Sequence, residues 1–161
     1  MNKWHILSGQ LRQEHDLLGT RILPENLATI TAAGRAAYVE NGNGEVIAFA
    51  AIWYSPDPGW GEVGSVWVHS AHRGQGLAAQ VFRDLIAKSK GQPYKIFLIT
   101  HDPKVVHLAL SAGLVEVTKK DWESVPWTAT CGECDRWATD AQKIACPFRA
   151  LPTDCRLFKM P

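Results

Sequence analysis

The spacing of apolar residues changes along the chain, and each change predicts an element of the fold. Between residues 10 and 18, three leucines recur among polar residues and predict an amphipathic helix. A second helix is predicted to begin at Pro24, because proline is favoured at the first helical position, and to run through Ile30. The chain therefore starts with two helices.

From Ala36 onward the apolar pattern becomes that of strands. Residues 36–40 and 45–54 flank the turn sequence Asn-Gly-Asn-Gly, which predicts a β-hairpin. After a break rich in proline and glycine, residues 61–69 predict a third strand. These three strands form a predicted antiparallel meander.

The pattern then alternates between helix and strand. A helix is predicted over 77–88 from its apolar stripe, and a short apolar strand over 94–100. A further helix is predicted over 103–112, with a last strand over 114–118. A helical connection between strands implies parallel pairing. The fold class is therefore α/β (α+β), a mixed central sheet with an antiparallel meander followed by β-α-β, flanked by helices.

Composition limits the classes of protein that fit this fold. With 161 residues, 17 Lys+Arg and 16 Asp+Glu, the chain predicts one main domain without a strong nucleic-acid or membrane-surface signal. No stretch approaches the roughly 20 apolar residues of a membrane span, so we expect a cytoplasmic protein. Periodicity fades after residue 118, which predicts a domain over 1–118 and a Cys- and Trp-rich extension over 119–161.

The turn between the third strand and its helix has the chemistry of a phosphate site. Gly74 and Gly76 allow positive φ, the first N–H groups of the helix point outward, and Arg73 adds a positive charge. The spacing also fits the G-x-G-x-x-A dinucleotide fingerprint, which normally follows the first strand of a parallel sheet rather than a meander. A Walker A loop is excluded because no Lys-Ser or Lys-Thr follows the glycines.

The pattern Arg73-x-x-Gly76-x-Ala78 resembles the R/Q-x-x-G-x-G/A signature of the GNAT superfamily of N-acetyltransferases. The resemblance extends to the strand before the turn and to the order of elements over 36–118. It implies acetyl-CoA as co-substrate, with the pyrophosphate on the N–H groups of residues 74–78. It also implies that the strands ending near Val68 and Thr100 splay apart, so that the Val68 N–H can face the thioester oxygen. The implied cofactor-binding residues are Val66, Val68, Arg73, Gly74, Gln75, Gly76, Leu77, Ala78 and Asp102.

Acetyl transfer needs a group that removes a proton from the amine. Glu62 is the first candidate, because several GNAT enzymes place at the start of this strand a glutamate that removes the proton through a water molecule. Side chains alternate along a strand, so counting by two puts Glu62 on the same sheet face as Val66 and Val68. His101, after the strand over 94–100, is the alternative. A solvent-facing glutamate and a plain loop histidine are the structural alternatives.

The second motif of the family aligns with residues 102–114, and there the match departs from the pattern. Ala109 stands where the family often has a tyrosine that protonates the CoA thiolate. The role of general acid is therefore vacant at this position. Tyr54 is a candidate for reaching the site, and a core or rim tyrosine is the structural alternative.

The extension contains all four cysteines, Cys131, Cys134, Cys146 and Cys155. The first pair has the C-x2-C spacing of a zinc knuckle, and four thiolates suit a closed structural zinc site. On these grounds we expect a structural zinc ion. Free buried thiols and disulfides remain the alternatives, because the second pair of cysteines lacks the C-x2-C spacing.

Together these observations predict an N-acetyltransferase that moves acetyl from acetyl-CoA to a primary amine by direct attack in a ternary complex. The acceptor is a small-molecule or peptide amine, and the sequence carries no prediction of oligomeric state. A catalytically weak CoA-binding or regulatory module, whose Cys-rich tail binds a macromolecule, is the alternative. A small NAD-binding oxidoreductase is a third hypothesis.

Overall fold

A computed structural model describes residues 2–14, 20–127 and 155–161. The described helices are α1 (Lys3–Glu14), α2 (Pro24–Ala32), α3 (Leu77–Ser89) and α4 (Pro103–Ser111). The described strands are β1 (Ala36–Glu40), β2 (Val46–Tyr54), β3 (Trp60–Val68), β4 (Lys95–Thr100), β5 (Val115–Glu116) and β6 (Arg156–Lys159). Short 3-10 helices occupy Thr20–Ile22, Ser70–His72 and Lys119–Ser124.

The strands form one mixed sheet in the order β1-β2-β3-β4-β6-β5. β3 and β4 are parallel, with Trp60 opposite Lys95 and Glu62 opposite Phe97. β1 is antiparallel to β2, and β6 is antiparallel to both of its neighbours. The predicted mixed α/β fold and the parallel pairing are confirmed.

Most predicted elements lie within one or two residues of their observed bounds. α2 begins at Pro24, and α4 begins at Pro103 behind Asp102, whose Oδ1 accepts from the Lys104 N–H at 2.8 Å. That contact satisfies one of the free donors at the helix start. Local cues of this kind therefore located the starts of α2 and α4 correctly.

The first helix and the last strands differ from the prediction. α1 begins at Lys3 rather than at residue 10, because Trp4, Leu7 and Leu11 form its buried stripe at helical spacing. The rest of the predicted helix, residues 15–18, lies outside the described residues. β5 spans two residues instead of five, and β6, which no sequence pattern indicated, lies between β4 and β5. The division between 1–118 and 119–161 stays a prediction.

The chain divides into two compact units, Met1–Trp53 with Val63–Gln92 and Tyr54–Glu62 with Pro93–Pro161. The apolar cluster of the first unit includes Trp4, Leu7, Leu11, Leu27, Phe49, Trp53 and Trp67. That of the second unit comprises Phe97, Val117, Val125 and Leu157, with Trp60, Ile99, Trp122 and Trp127 packed against it. In the described part of the chain, no helix is both long and apolar enough to cross a membrane.

β3 contains a backbone irregularity at Ser65, whose φ of 55° is left-handed. The Trp53 Nε1–H donates to the Ser65 Oγ at 3.2 Å, and a Cβ added at Gly64 would lie 3.3 Å from the same indole. A left-handed residue interrupts the alternation of side chains along a strand. Counting by two from Val68 therefore cannot fix the face on which Glu62 lies, and the placement of Glu62 stays a prediction.

Candidate functional site

The turn between β3 and α3 is shaped by two glycines. Gly74 and Gly76 both have φ of 77°, in the left-handed region that glycine adopts without cost. A Cβ added at either position would meet no atom within 4 Å. The requirement for glycine here is therefore one of backbone conformation, and the turn is open on its outer side.

The turn presents a row of free N–H groups. Gly76 is the N-cap of α3 and supplies no side-chain cap, and the first helical bond runs from the Gln80 N–H to the Gly76 carbonyl at 3.1 Å. Within the described residues, the N–H groups of residues 74–79 have no hydrogen-bond partner. Such groups at the positive end of a helix dipole bind anions, phosphate above all.

Arg73 lies at the mouth of the turn and is held from two sides. Its Nε–H donates to the Val68 carbonyl at 3.3 Å, and its Nη2 lies 3.5 Å from Glu14 Oε2. Its side chain is 52% exposed, so the guanidinium is accessible to a ligand. The charge therefore stands where an anion bound by the turn would meet it.

Glu14, the last residue of α1, was missed by the sequence analysis. Its Oε2 also accepts from the Ser70 N–H at 3.3 Å, and its Oε1 lies 3.8 Å from His69 Nε2. One carboxylate thus contacts three groups of the segment that leads into the turn. No local pattern could have linked residues more than 50 positions apart, so only the structure shows this contact.

The end of β3 directs the Val68 N–H away from β2. The His69 N–H donates to the Ile47 carbonyl on β2 at 2.9 Å. Because successive N–H groups along a strand point to opposite edges, the Val68 N–H points to the other edge. The Val68 carbonyl, which accepts from Arg73, lies on that same edge. This orientation is the one expected of a residue whose backbone faces a ligand.

The two histidines beside the turn contact each other. His69 Nδ1 accepts from the Ala71 N–H at 3.2 Å. The rings of His69 and His72 lie 5.6 Å apart, and the His69 ring packs edge-on against the buried Trp67. His69 therefore helps to order the segment that leads into the turn.

The two candidate bases, Glu62 and His101, belong to the second unit. Glu62 is 9% exposed on β3, opposite Phe97, whereas His101 is exposed in the loop after β4. His101 lies four positions beyond Phe97, and four positions correspond to about 13 Å along a strand. The structure therefore does not bring Glu62 and His101 together, and they remain alternatives rather than a pair.

Comparison with known families decides what kind of turn this is. Residues 6–113, more than half of the chain, match the model of the acetyltransferase (GNAT) family. The chain belongs to this family. The match includes β3, the turn and α3, so the turn is a GNAT turn rather than a dinucleotide fingerprint. The predicted enzyme class, an acyltransferase, is that of the family.

Solved structures of other GNAT proteins show the same fold. One is N-acetylglutamate synthase from Neisseria gonorrhoeae, whose structure is complexed with coenzyme A and N-acetyl-glutamate. It matches with a TM-score of 0.57 and 14% sequence identity, and the match covers 98% of this chain and 31% of the synthase chain. A GNAT-family acetyltransferase from Staphylococcus aureus matches with a TM-score of 0.59 and 11% sequence identity. That match covers 98% of this chain and 90% of the Staphylococcus chain. The chain thus spans about a third of the first protein and nearly all of the second.

A third likeness is to yncA from Salmonella typhimurium, whose structure contains its cofactor acetyl-CoA. The TM-score is 0.54 and the identity 24%, over 73% of this chain and 78% of that one. Identities at this level show the fold alone. A search of the curated proteins found no match to this chain.

The residues that align with the second motif of the resemblance lie in and just before α4, and they include Asp102 and Ala109. Asp102 caps the helix, so its carboxylate is engaged at the helix start. Ala109 is fully buried, and its methyl group cannot take the acid role of the tyrosine that the family often has at this position. Tyr54 is 61% exposed at the end of β2, which excludes a core role for it.

The predicted zinc site lies largely outside the described residues. Cys131, Cys134 and Cys146 are among the residues that the structure does not describe, and Cys155 is half-buried just before β6. Among the described side chains there is no cluster of three or more potential metal ligands. Zinc binding therefore stays a prediction without structural support.

Proposed function

We propose that this GNAT protein transfers an acetyl group from acetyl-CoA to a primary amine. The observation that carries the proposal is the row of N–H groups at residues 74–79 with Arg73 beside it. The presence of acetyl-CoA in the yncA structure and of coenzyme A in the Neisseria synthase supports the choice of donor. The same turn chemistry explains why a diphosphate would bind there.

In the proposed complex, the backbone N–H groups of the turn bind the diphosphate and the Arg73 side chain adds one positive charge. The N–H groups of residues 74–78 are held by the turn and by α3, so they bind oxygen atoms without a cost for ordering side chains. Arg73 partly balances the negative charge, since a guanidinium forms strong charge-assisted hydrogen bonds to phosphate. Leu77 and Ala78 contribute through their backbone N–H groups.

Val68 is proposed to stabilise the charge that develops during the reaction. The amine nitrogen attacks the thioester carbon, an N–C bond forms, and negative charge grows on the thioester oxygen before the C–S bond breaks. A fixed N–H aimed at that oxygen stabilises the transition state more than the ground state. The orientation of the Val68 N–H away from β2 supports this role. Val66 precedes it on the same strand and would line the pantetheine arm.

Glu62 is proposed as the general base. The attacking amine must lose one proton, and a carboxylate 9% exposed on β3 is largely shielded from bulk water. It would accept the proton directly or through one ordered water. His101 is the second candidate for this role. Its side chain is exposed to solvent, and we therefore prefer the buried carboxylate of Glu62 as the base.

The departing CoA thiolate has no assigned acid. Ala109 cannot donate a proton, so we propose that the thiolate leaves as an anion and takes its proton from water. This step needs no side chain, because a thiolate is a stable leaving group near neutral pH.

The acceptor is proposed to be a small-molecule or peptide amine that binds together with acetyl-CoA. The N-acetyl-glutamate bound in the Neisseria synthase supports a small molecule with a primary amine. We propose that the amine attacks the thioester directly within this ternary complex. A cytoplasmic location remains a prediction.

One substitution tests the donor site. Arg73→Gln removes the charge beside the turn, and we expect the Kd for acetyl-CoA, measured by calorimetry, to rise about tenfold, as for loss of one charge-assisted contact. Arg83→Gln, an exposed arginine on α3, is the matched control and should leave the Kd unchanged. Equal Kd values for the Arg73 and Arg83 variants would contradict the proposal.

A second function, a regulatory module that binds CoA without turnover, is favoured by one observation. The buried Ala109 at the position of the family tyrosine removes a group that GNAT enzymes often use. This function predicts tight CoA binding without release of thiol for any amine. An assay of thiol release over a panel of amines separates the two functions.

A further inference from the structure

We infer that Glu14 is an internal competitor of the cofactor for Arg73, and that it sets the affinity for CoA below the value the turn alone would give. The inference rests on the proposed function, in which the turn binds the diphosphate of acetyl-CoA. It concerns a residue of α1 that lies outside the GNAT signature. Glu14 would thus be a positioning residue that acts through Arg73.

The geometry places one carboxylate and one guanidinium at the same turn. Glu14 Oε2 lies 3.5 Å from Arg73 Nη2, and the same oxygen accepts from the Ser70 N–H at 3.3 Å. Glu14 is anchored at the end of α1 and its side chain is 22% exposed, whereas that of Arg73 is 52% exposed. The guanidinium is therefore the more exposed partner and the carboxylate the more buried one.

An anionic ligand at the turn meets both charges. Arg73 would attract a diphosphate bound to residues 74–78, and Glu14, held within reach of the same guanidinium, would repel it. The ligand must also draw the guanidinium away from the carboxylate or share it. Both effects oppose binding, and a half-exposed ion pair is weak enough to be exchanged.

Removing the charge of Glu14 should therefore strengthen binding. Glu14→Gln keeps an oxygen that can accept from the Ser70 N–H, so the anchor of the segment is retained while the negative charge is lost. We expect CoA to bind about three- to tenfold more tightly, the effect of one surface charge interaction. A merely structural role for Glu14 would give weaker binding or none.

The effect should extend to the product. Acetyl-CoA and CoA carry the same diphosphate, so Glu14 would weaken both and would favour release of CoA after transfer. In Glu14→Gln the KM for acetyl-CoA should fall, and kcat should fall with it where CoA release limits turnover.

A double-mutant cycle tests whether Glu14 acts through Arg73. The Kd for CoA is measured by calorimetry for the wild type, Glu14→Gln, Arg73→Gln and the double variant, at low and high salt. We expect the gain from Glu14→Gln to shrink at high salt and to be largely lost when Arg73 is absent. Glu25→Gln, an exposed glutamate in the first turn of α2, is the matched control for net charge.

The outcomes separate this inference from the proposed function. If the wild type binds CoA and Arg73→Gln weakens binding, the donor site stands; unchanged or weaker binding by Glu14→Gln then overturns only the competitor role. If Glu14→Gln raised the CoA affinity equally with and without Arg73, Glu14 would act by its charge alone and not through Arg73. That result would also overturn the competitor role. If the wild type does not bind CoA, both proposals fail. Circular dichroism of each variant confirms that it is folded.

Discussion

At the turn before α3, backbone conformation and charge come from different residues. Gly74 and Gly76 take the left-handed φ that aims the N–H groups outward, and Arg73 supplies the charge. Both functions depend on residue type at adjacent positions, so the sequence predicted the turn. Glu14 could not be predicted, because its contact with Arg73 depends on where α1 ends in space.

Gly76→Ala tests the conformational requirement at the residue scale. An alanine held at a φ of 77° costs about 1–2 kcal/mol, and the added methyl group meets open space, so we expect a loss of that size in the free energy of unfolding. Acetyl-CoA affinity should fall as well if the turn relaxes to negative φ. Denaturant unfolding and calorimetry measure the two effects.

Gly9→Ala is the control for that variant. Gly9 lies inside α1, and an added Cβ meets no atom within 4 Å. This substitution should stabilise the protein by about 0.5–1 kcal/mol without changing acetyl-CoA affinity. If Gly76→Ala behaves like Gly9→Ala in both measurements, the left-handed turn has no role in stability or binding.

At the scale of elements, the prediction succeeded where the period is local and failed where partners are distant. The β1–β2 hairpin, α3 and α4 follow from apolar spacing, glycines and caps. β6 has four residues and no turn beside a partner strand, so its place between β4 and β5 could only come from the structure. The irregularity at Ser65 was invisible too, because serine is not a residue that marks positive φ.

The pairing of β5 with β6 makes a pH-dependent prediction. The Arg156 Nε and Nη2 groups donate to the two oxygens of Glu116, each at 2.7 Å, and this contact holds the pKa of Glu116 below its usual value of 4.5. The pair therefore adds stability at neutral pH that is lost as the pH falls below that value and the carboxylate takes up a proton.

Glu116→Gln should remove this part of the acid dependence. Both side chains are more than 40% exposed, so the loss in the free energy of unfolding at pH 7 should stay below about 1 kcal/mol. The difference between variant and wild type should shrink as the pH falls below 4.5 and Glu116 takes up a proton. Denaturant unfolding at pH 7 and pH 3 measures it, with Glu123→Gln, an exposed glutamate on the 3-10 helix Lys119–Ser124, as control. A difference as large at pH 3 as at pH 7 would contradict the assignment.

At the scale of the whole molecule, the chain is a GNAT protein, and the turn between β3 and α3 lies in its first compact unit. The family could be identified from sequence because its motif and the order of its elements are both continuous along residues 36–118. The acceptor could not, because it would be recognised by side chains that no single segment carries. The face of Glu62 could not be predicted from sequence either, because the left-handed Ser65 breaks the count by two from Val68.

The most direct test of the central claim is thiol release from acetyl-CoA over a panel of amino acids, polyamines, aminoglycosides and peptides. We predict that at least one amine releases CoA in equal amount with its acetylated product. Glu62→Gln should lower that kcat by about 100-fold or more, as expected for loss of a general base, with CoA affinity retained. Acetyl-CoA binding without thiol release for any amine would contradict acetyl transfer.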